Sequence, residues 1–561
     1  MTNKAVTSQS PASSHDGTIV IDSAWWQSAV GYQIYPASFA DSNGDGIGDI
    51  PGIIGKLDYL ADLGIGFIWL SPVYTSPMVD NGYDISDYRA INPIFGIMDD
   101  MDRLIAEARS RKIGVVMDLV VNHTSNQHPW IIAACSDRQS PFRDYYIWRE
   151  DAPADGSPSD ITASFGGSAW SRDPQSGEYY FHLFAPQQPD LNWSNSALRA
   201  EIHAMMNWWL DKGIAGFRMD VIDLIGKRPE EGIVADGPDL HRYLREMHEA
   251  ALAGREVVTV GEAWSATPDA AALYSGPERR EVSMVFQFSH VTRFWDERFG
   301  KWKPRPIDWP ILKSLFAEWQ HALHGNGWNS LFWGNHDLPR AVSRYGDEGE
   351  HRLSSAKALA TILHLMEGTP YIYQGEEISM TNAGFTSIDQ YRDVETLNFH
   401  RIQLAMGVSE ADFFAGAQAN SRDNARTPMQ WSSKPNAGFT SGTPWIAVNR
   451  NYEWLNVEQD RADPDGVFQR YRRLIALRCQ HAVIRHGDFE LLLPDHPSLF
   501  AFERRLGAEK LLVIANMSRQ ETAIPPSGIP QLHASDILTG RMVSTEPGIK
   551  LGPFAAMATW L

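Results

Sequence analysis

Short apolar runs alternate along most of the chain with longer segments of helical periodicity. An apolar residue at every third or fourth position predicts a helix, whereas a short apolar run between turn residues predicts a buried strand. Alternation of the two is typical of βα units around a parallel sheet. Eight runs have the character of strands, over residues 30–39, 66–73, 112–120, 215–222, 257–264, 283–290, 328–337 and 369–378. They predict an α/β fold with a (β/α)8 TIM barrel.

Two long stretches interrupt this rhythm. Residues 123–192 are rich in Pro, Gly, Ser and Asp and are too long for a connecting loop, so we expect an inserted subdomain after strand 3. From residue 483 to 561, short alternating segments predict a C-terminal antiparallel β-domain of the sandwich type. The barrel then comprises residues 23–122 and 193–482. Residues 1–22 carry no apolar stretch of signal-peptide length and are expected to be a disordered tail.

The charge and the cysteine content restrict the partners and the compartment. The chain has 49 basic and 69 acidic residues, and its formal charge of −20 repels nucleic acid and anionic lipid. Its apolar runs are shorter than the roughly 18 residues of a membrane span. Only Cys135 and Cys479 are present, far apart in sequence, which suits a reducing compartment. We therefore expect a cytoplasmic protein that binds neither nucleic acid nor membrane, as a monomer or a weak homo-oligomer.

Polar residues end four of the predicted strands, in the segments VMDLVVNH, FRMD, VGEA and NHD. In a barrel, the carboxyl ends of the strands form the catalytic face. Cleavage of a glycosidic bond with retention needs two carboxyl groups about 5 Å apart, one ionised and one protonated. Asp220 and Glu262 end the adjacent fourth and fifth strands, and Asp337 ends the seventh. A polar loop after a buried strand would explain any one of these endings, but four together indicate an active site.

Seven segments together resemble the conserved regions of the α-amylase superfamily, and within it those of the oligo-1,6-glucosidases and dextran glucosidases. They are DLVVNH, GFRMD, VGEAW, FWGNHD, NGYDI, RDNARTPMQW and YQGEEI. The resemblance runs from about Trp25 to the C-terminus. It implies a retaining, exo-acting α-glucosidase that hydrolyses terminal α-1,6 bonds of isomaltose, isomaltooligosaccharides or short dextrans through a covalent β-glucosyl intermediate. A small oligosaccharide is the expected substrate, and no organic cofactor is expected.

The resemblance also implies roles for the three acids. Asp220 corresponds to the nucleophile and Glu262 to the general acid and base, while Asp337 would bind substrate hydroxyls and favour ring distortion. Arg218 lies two residues before Asp220, hence on the same face of the strand, where its charge lowers the carboxyl pKa.

Further substrate-binding residues are expected on the same basis. Asp84 and Arg422 would close the far end of the glucose site, although a purely structural ion pair is the alternative. Arg426 would support the loop. Four more residues would contact the sugars: His123 and His336 by hydrogen bonds, Tyr83 by stacking, and Glu395 beside the leaving-group sugar.

Val221, the residue after the expected nucleophile, bears on the linkage. In the resembling family, Val at this place accompanies action on α-1,6 bonds, and Ala or Thr accompanies action on α-1,4 bonds. Sucrose isomerases and trehalose-6-phosphate hydrolases carry related residues there and remain alternatives. The chain has no RLDRD-type segment of the isomerases, and its TPMQW ending is similar to the hydrolases. A non-catalytic interaction protein is a remoter alternative, since such relatives have a membrane span and degraded acids.

The segment DSNGDGIGD, residues 41–49, matches the start of a calcium loop, with oxygen-bearing residues at alternate positions. It departs from an EF-hand because its twelfth position is Gly52 rather than Glu. The segment is similar to the calcium loop of the oligo-1,6-glucosidases. That similarity implies a structural Ca²⁺ held by Asp41, Asn43, Asp45, the carbonyl of Ile47 and Asp49. An Asp/Asn/Gly turn that binds nothing is the alternative.

Overall fold

Eight parallel strands form one sheet within residues 24–561, the part of the chain that the computed structural model describes. They are β1 Gly31–Ile34, β2 Phe67–Leu70, β3 Gly114–Leu119, β4 Gly216–Met219, β5 Val258–Glu262, β6 Met284–Phe286, β7 Ser330–Leu331 and β8 Thr369–Tyr373. β8 pairs with β1, and a parallel bridge between Val285 and Asn329 links β6 to the start of β7. The predicted (β/α)8 barrel is confirmed. The tail predicted over residues 1–22 lies outside the described residues.

Helices connect the strands and surround the barrel. Those of seven residues or more in the described part are α1 Leu57–Leu63, α2 Met98–Ser110, α3 Pro129–Ser136, α4 Ser196–Lys212, α5 Leu240–Met247, α6 Pro268–Ser275, α7 Trp309–Leu323, α8 Arg352–His364, α9 Val394–Ala405, α10 Glu410–Asn420 and α11 Val467–Gln480. Helix α4 shows how local chemistry sets the bounds. The side chain of Asn195 accepts hydrogen bonds from the first free N–H groups, and Gly213 ends the helix in a left-handed conformation.

The strands are buried on both faces, as is expected of a parallel sheet covered by helices. All residues of β1, β2, β4, β5 and β8 are buried. Such strands hold their carboxyl ends in place, because both faces are packed. The residues that follow each strand therefore start from a rigid support. No helix within residues 24–561 has both the length and the apolar character needed to cross a membrane.

Two parts stand apart from the barrel, as predicted. After β3, the chain forms α3 and a small antiparallel sheet of Trp148–Arg149, Trp170–Arg172 and Tyr179–Phe181. At the C-terminus, β9 Asp488–Leu492, β10 Leu499–Leu506, β11 Glu509–Asn516 and β12 Ala556–Trp560 form an antiparallel sheet. Two short antiparallel pairs accompany this sheet, Thr522–Ala523 with Lys550–Leu551 and His533–Ser535 with Met542–Ser544. The exact domain boundaries stay predictions.

Candidate active site

Strands β3, β4 and β5 bring four charged residues together at their carboxyl ends. Asp118 on β3 is in register with Arg218 on β4, and Met219 on β4 is in register with Gly261 on β5. The next residues on β4 and β5 are Asp220 and Glu262, which therefore lie side by side. All four are buried, with at most 6% of each residue exposed. The neighbouring acids predicted from the two strand ends are thus adjacent in the structure.

Arg218 connects the carboxylates. Its Nη1 donates to Oδ1 of Asp118 at 2.8 Å and to Oδ1 of Asp220 at 2.7 Å, and its Nη2 donates to Oε2 of Glu262. Its guanidinium also lies over the ring of Trp69, 4.9 Å from the centroid. A planar fork with several donors suits this role, since a lysine could not hold three carboxylates in one plane. Arg218 itself is 1% exposed, so it acts on the substrate through the carboxylates that it holds.

The ionisation of Asp220 depends on this arginine. Burial raises the pKa of Asp220, the Arg218 charge lowers it, and the charges of Glu262 and Asp118 raise it further. A nucleophilic carboxylate must be ionised, so Arg218 is the group that opposes protonation here. The sequence-based prediction gave the direction of the arginine's effect but not the opposing effect of burial.

Glu262 is held from two sides. The indole N–H of Trp264 donates to its Oε1 at 2.8 Å, and the backbone N–H of Val221 donates to its Oε2 at 3.1 Å. Val221 adopts φ 35° and ψ 48°, a left-handed conformation that is rare for a β-branched residue. Strained backbone of this kind is found at functional sites, where the surrounding structure enforces it. The turn after the predicted nucleophile is therefore fixed against the predicted general acid.

Asp337 lies among cationic and imidazole groups. Its Oδ1 accepts from Nη2 of Arg426 at 2.8 Å and from Nη1 of Arg422 at 3.3 Å, and its Oδ2 lies 3.2 Å from Nε2 of His336. Burial alone would raise the pKa of Asp337, but His336, Arg422 and Arg426 outweigh it and lower the pKa well below the ordinary value. Asp337 is therefore an ionised acceptor. Arg426, which was expected to support its loop, bonds Asp337 directly.

The predicted pairing of Asp84 with Arg422 is wrong. Nη2 of Arg422 instead donates to Oδ1 of Asp80 at 3.1 Å. Asp84 is fully buried and bonds its own loop, accepting from the backbone N–H groups of Val79 and Asp80 and from the Ser76 hydroxyl. Its carboxylate therefore fixes the conformation of the loop, and it is Asp80 on this loop that lines the cavity. The sequence signal was present, because Asp80 begins the DNGYD segment that Asp84 ends.

Tyr83 and the two predicted histidines form a packed group. The rings of Tyr83 and His336 are parallel, with centroids 5.2 Å apart, and the Tyr83 hydroxyl lies 2.6 Å from Nε2 of His336. Tyr83 and His123 line the cavity, whereas His336 is 1% exposed and lies behind Tyr83. Burial lowers the pKa of His336 to about 3. His336 holds Tyr83 and Asp337 in position.

A cavity of about 520 Å³ joins these residues. Its inner end is formed by buried charged residues, and its outer rim by aromatic and apolar side chains. The inner residues are Asp80, Asp220, Glu262, Asp337 and Arg422, with Tyr83, His123 and Val221 beside them, and the rim residues include Trp264, Trp295, Phe299, Phe399 and Met406. Glu395 lies between the two parts, paired with Lys301 and 3.5 Å from Nε of Arg422. Asp118, Asp393 and Lys301 complete the network and were not predicted.

The 41–49 loop is closed by its own hydrogen bonds. The carboxylate of Asp41 accepts from the backbone N–H groups of Asn43, Gly44 and Gly46, and that of Asp49 accepts from Ser42 and Gly52. Throughout residues 24–561, no three acidic, His or Cys side chains converge as a metal site would require. A calcium site here would need the oxygens of Asn43 and Ile47 to complete the set. Calcium binding stays a prediction.

Comparison with known proteins agrees with this geometry. Residues 33–487 match the family described as alpha amylase, catalytic domain. A palatinase from Erwinia rhapontici is 56% identical over 505 residues, covering 89% of this chain and 92% of that protein. A glucan 1,6-alpha-glucosidase from Streptococcus pneumoniae is 53% identical over 506 residues, covering 90% and 93%. The crystal structure of a trehalose-6-phosphate hydrolase from Bacillus licheniformis superposes with a TM-score of 0.90 at 44% identity, covering 96% of this chain and 100% of that one.

These matches confirm the predicted enzyme class and exclude the non-catalytic alternative. The family model spans well over half of the chain, and the relatives are similar along almost their whole length. Their names denote different substrates. The chain belongs to the α-amylase family of glycoside hydrolases and is one of its glucosidases.

Proposed function

We propose that the protein is a retaining, exo-acting α-glucosidase that hydrolyses terminal α-1,6 bonds of isomaltose, isomaltooligosaccharides or short dextrans. The observation that carries this proposal is the charged inner end of the cavity, where Arg422 bonds Asp80 and Asp337 in the same cavity that Asp220 and Glu262 line. Such an end offers donors and acceptors to the hydroxyls of one terminal glucose. A chain that continued through this end would have to break the ion pairs.

The two carboxylates divide the chemistry between them. Asp220 attacks the anomeric carbon and forms a covalent β-glucosyl ester, while Glu262 gives its proton to the departing glycosidic oxygen. Glu262 then removes a proton from water, and the resulting hydroxide displaces Asp220 and releases glucose in its original α configuration. Arg218 is the group that favours the ionised form of Asp220 in the first step, against the burial that raises the pKa of this carboxyl. Asp337 is ionised throughout and accepts from hydroxyls of the ring as it distorts.

The buried charges should restrict the inner end of the cavity to a single terminal glucose unit and exclude internal units of a polymer. A site that hydrogen-bonds hydroxyl groups rejects analogues that leave its polar groups unpaired, by about 10⁴-fold in well-studied cases. Asp80, Asp337 and Arg422 are all less than a fifth exposed at the side chain. Internal glucose units of starch or dextran lack the free hydroxyl at the position of chain extension. The enzyme should therefore act from non-reducing ends.

The linkage preference is assigned to Val221. Val221 lines the cavity next to Asp220, and its β-branched side chain is stiff about the first torsion. A rigid pair of methyl groups there would obstruct the closer second sugar of an α-1,4 bond, whereas the additional methylene of an α-1,6 bond moves that sugar away. Apolar shape of this kind discriminates by about 1–3 kcal/mol, so the preference is strong but not absolute.

The named activities of the relatives support this choice. One is named glucan 1,6-alpha-glucosidase, and a relative from Halalkalibacterium halodurans that is 51% identical is named oligo-1,6-glucosidase. Hydrolysis of trehalose 6-phosphate, the activity for which the structural relative is named, is the main alternative to the proposed activity. A phosphorylated second sugar would need free cations at the rim. Lys301 there is paired with Glu395, so that, among the cavity-lining residues of the described part of the chain, Arg298 is the rim cation that would have to bind the phosphate.

One assay tests the proposal. Initial rates of glucose release are measured on isomaltose, palatinose, maltose, sucrose and trehalose 6-phosphate, with the sucrose products separated by chromatography. The two α-1,6 substrates should exceed maltose in kcat/KM by about tenfold to 200-fold. Equal efficiency on maltose would overturn the linkage assignment. Dominant hydrolysis of trehalose 6-phosphate, or conversion of sucrose to an isomer, would replace the proposed activity by that one.

A further inference from the structure

A buried carboxyl lies three residues after Asp220 and is not used by the mechanism above. Asp223 belongs to the short helical turn Ile222–Leu224, lines the same cavity and is 1% exposed. Its Oδ2 accepts from the hydroxyl of Ser265 at 2.6 Å and from the backbone N–H of Ser265 at 3.1 Å. Its Oδ1 is buried and has no hydrogen-bond partner among the described residues.

Ser265 is the third residue after Glu262, and Trp264 lies between them on the same loop. The Trp264 indole donates to Oε1 of Glu262 at 2.8 Å. Its ring stacks in parallel on Phe288, with centroids 3.7 Å apart. A bond that anchors Ser265 therefore restrains Trp264, and Trp264 restrains the carboxyl of Glu262. The opposite oxygen of Glu262 accepts from the backbone N–H of Val221, two residues before Asp223.

We propose that Asp223 is a positioning residue for the general acid. The turn 221–223 holds Glu262 at both oxygens, directly through the Val221 N–H and indirectly through the links from Asp223 to Ser265 and from Trp264 to Glu262. This inference rests on the proposed acid and base role of Glu262. The positioning role gives a reason for burying this carboxyl at the cavity wall in spite of the desolvation cost. Its two hydrogen bonds to Ser265 hold the loop after β5 in place.

The surroundings of Asp223 agree with a role in positioning rather than in proton transfer. Burial raises its pKa to about 7, the two Ser265 bonds lower it, and the charges of Asp236 and Glu262 raise it. With both donors on Oδ2, a proton on Asp223 would reside on Oδ1, the atom without a partner. The acceptor oxygen towards Ser265 is thus kept in both ionisation states.

A leaving-group comparison tests this inference. General acid catalysis contributes about 10²–10⁴-fold and matters most when the leaving group is a poor one, such as a sugar. Asp223→Ala and Ser265→Ala should therefore lower kcat/KM on isomaltose by about tenfold or more, as a part of that contribution. On 2,4-dinitrophenyl α-glucoside, whose phenolate departs without a proton, the loss should be about threefold or less. Asp223→Asn keeps an acceptor oxygen and should restore most of the isomaltose activity.

Thr267→Ala is the matched control. The Thr267 hydroxyl caps helix α6 at the end of the same loop by accepting from the Ala270 N–H, without touching Ser265. This control should affect the two substrates equally, because it weakens the helix cap and leaves the bonds between Asp223 and Ser265 in place. Equal losses on both substrates for Ser265→Ala, whose side chain is at the surface, would overturn the inference. Glu262→Gln separates the two failures: if it also shows no dependence on the leaving group, the proposed role of Glu262 falls first.

Discussion

The two ends of the cavity are built from different chemistry. At the inner end, Arg422 bonds Asp80 at 3.1 Å, Asp337 at 3.3 Å and Asp393 at 2.5 Å, and all of these side chains are buried or nearly so. At the outer rim, Trp295, Phe299 and Phe399 are half-buried, and Met406 is 56% exposed. The inner end is a fixed set of charges. The rim is an apolar surface with adaptable side chains.

This difference separates two kinds of recognition. Buried ion pairs are costly to disturb, because removal of one partner destabilises the folded protein by about 3–5 kcal/mol. Apolar surfaces discriminate by shape, for about 1–3 kcal/mol. The inner end should therefore define the sugar that is released and tolerate little change. The rim and Val221 should define which second sugar is accepted, and should be open to adjustment by single substitutions.

The largest effect is expected from substitution of the two carboxylates, Asp220 and Glu262. Asp220→Asn and Glu262→Gln should each lower kcat on isomaltose by about 10⁴-fold or more, because each removes a group required for bond cleavage. Steady-state kinetics with thermal unfolding as a folding control measures this. Near-normal activity of either variant would contradict the assignment of the acids.

Azide distinguishes the two roles. Glu262→Ala keeps the Asp220 nucleophile, so added azide should partly restore turnover of a substrate with a good leaving group and attack the glucosyl ester. The product is the α-glucosyl azide if the ester is β-linked, because each displacement inverts the anomeric carbon. The Asp220→Ala variant cannot form the ester, so azide should attack the α-glucoside directly and give the β-glucosyl azide by a single inversion. The same anomer from both variants would speak against the division of roles.

The next largest effect is expected at the inner end. Arg422→Ala leaves Asp80 and Asp393 without their shared cation, and kcat/KM should fall by about 10²–10³-fold on every glucoside, in line with the loss of a buried ion pair. Phe399→Ala at the rim is the comparison variant. It should cost less than about tenfold, with the size of the loss depending on the second sugar. Similar losses for both variants would remove the distinction between the two ends.

A smaller effect is expected at Val221, between the ends. Val221→Thr replaces one of the two methyl groups by a hydroxyl that can hydrogen-bond the second sugar, and Val221→Ala removes both methyls. Each should lower the ratio of isomaltose to maltose efficiency by about tenfold, mainly by raising activity on maltose. The ratio of kcat/KM values under identical conditions is the measurement. An unchanged ratio would assign the linkage preference to the rim instead.

The smallest effect on activity is expected at the 41–49 loop, which lies after β1 and supplies none of the three acids. If Ca²⁺ binds there, excess chelator should lower the melting temperature while kcat/KM on isomaltose stays within about twofold, because an ion bound only by the folded state stabilises that state. Asp41→Asn should reproduce the loss and abolish the response to chelator. Asp58→Asn, at a carboxylate that is 86% exposed, is the control. A melting temperature that chelator leaves unchanged would count against calcium.

The sequence by itself determined the barrel, its inserted subdomain and its C-terminal sheet, and it located Asp220, Glu262 and Asp337. These features depend on local information, since periodicity distinguishes strands from helices and the carboxyl end of each strand lies on one face of a barrel. Asp220 directly follows β4 and Glu262 ends β5, so the direction of each of these acids is set by its strand, whereas Asp337 lies six residues after the end of β7.

Only the tertiary structure decided which acid faces Arg422. Asp80 and Asp84 lie on one loop, where Asn81 and Gly82 both have positive φ and reverse the chain between them. This reversal turns Asp84 towards its own N–H groups and Asp80 towards an arginine 342 residues away. The same holds for the left-handed Val221 and for the link from Asp223 to Ser265, 42 residues apart. Such contacts depend on how separate loops meet, and the periodicity of the sequence carries no information on the direction of a side chain in a loop.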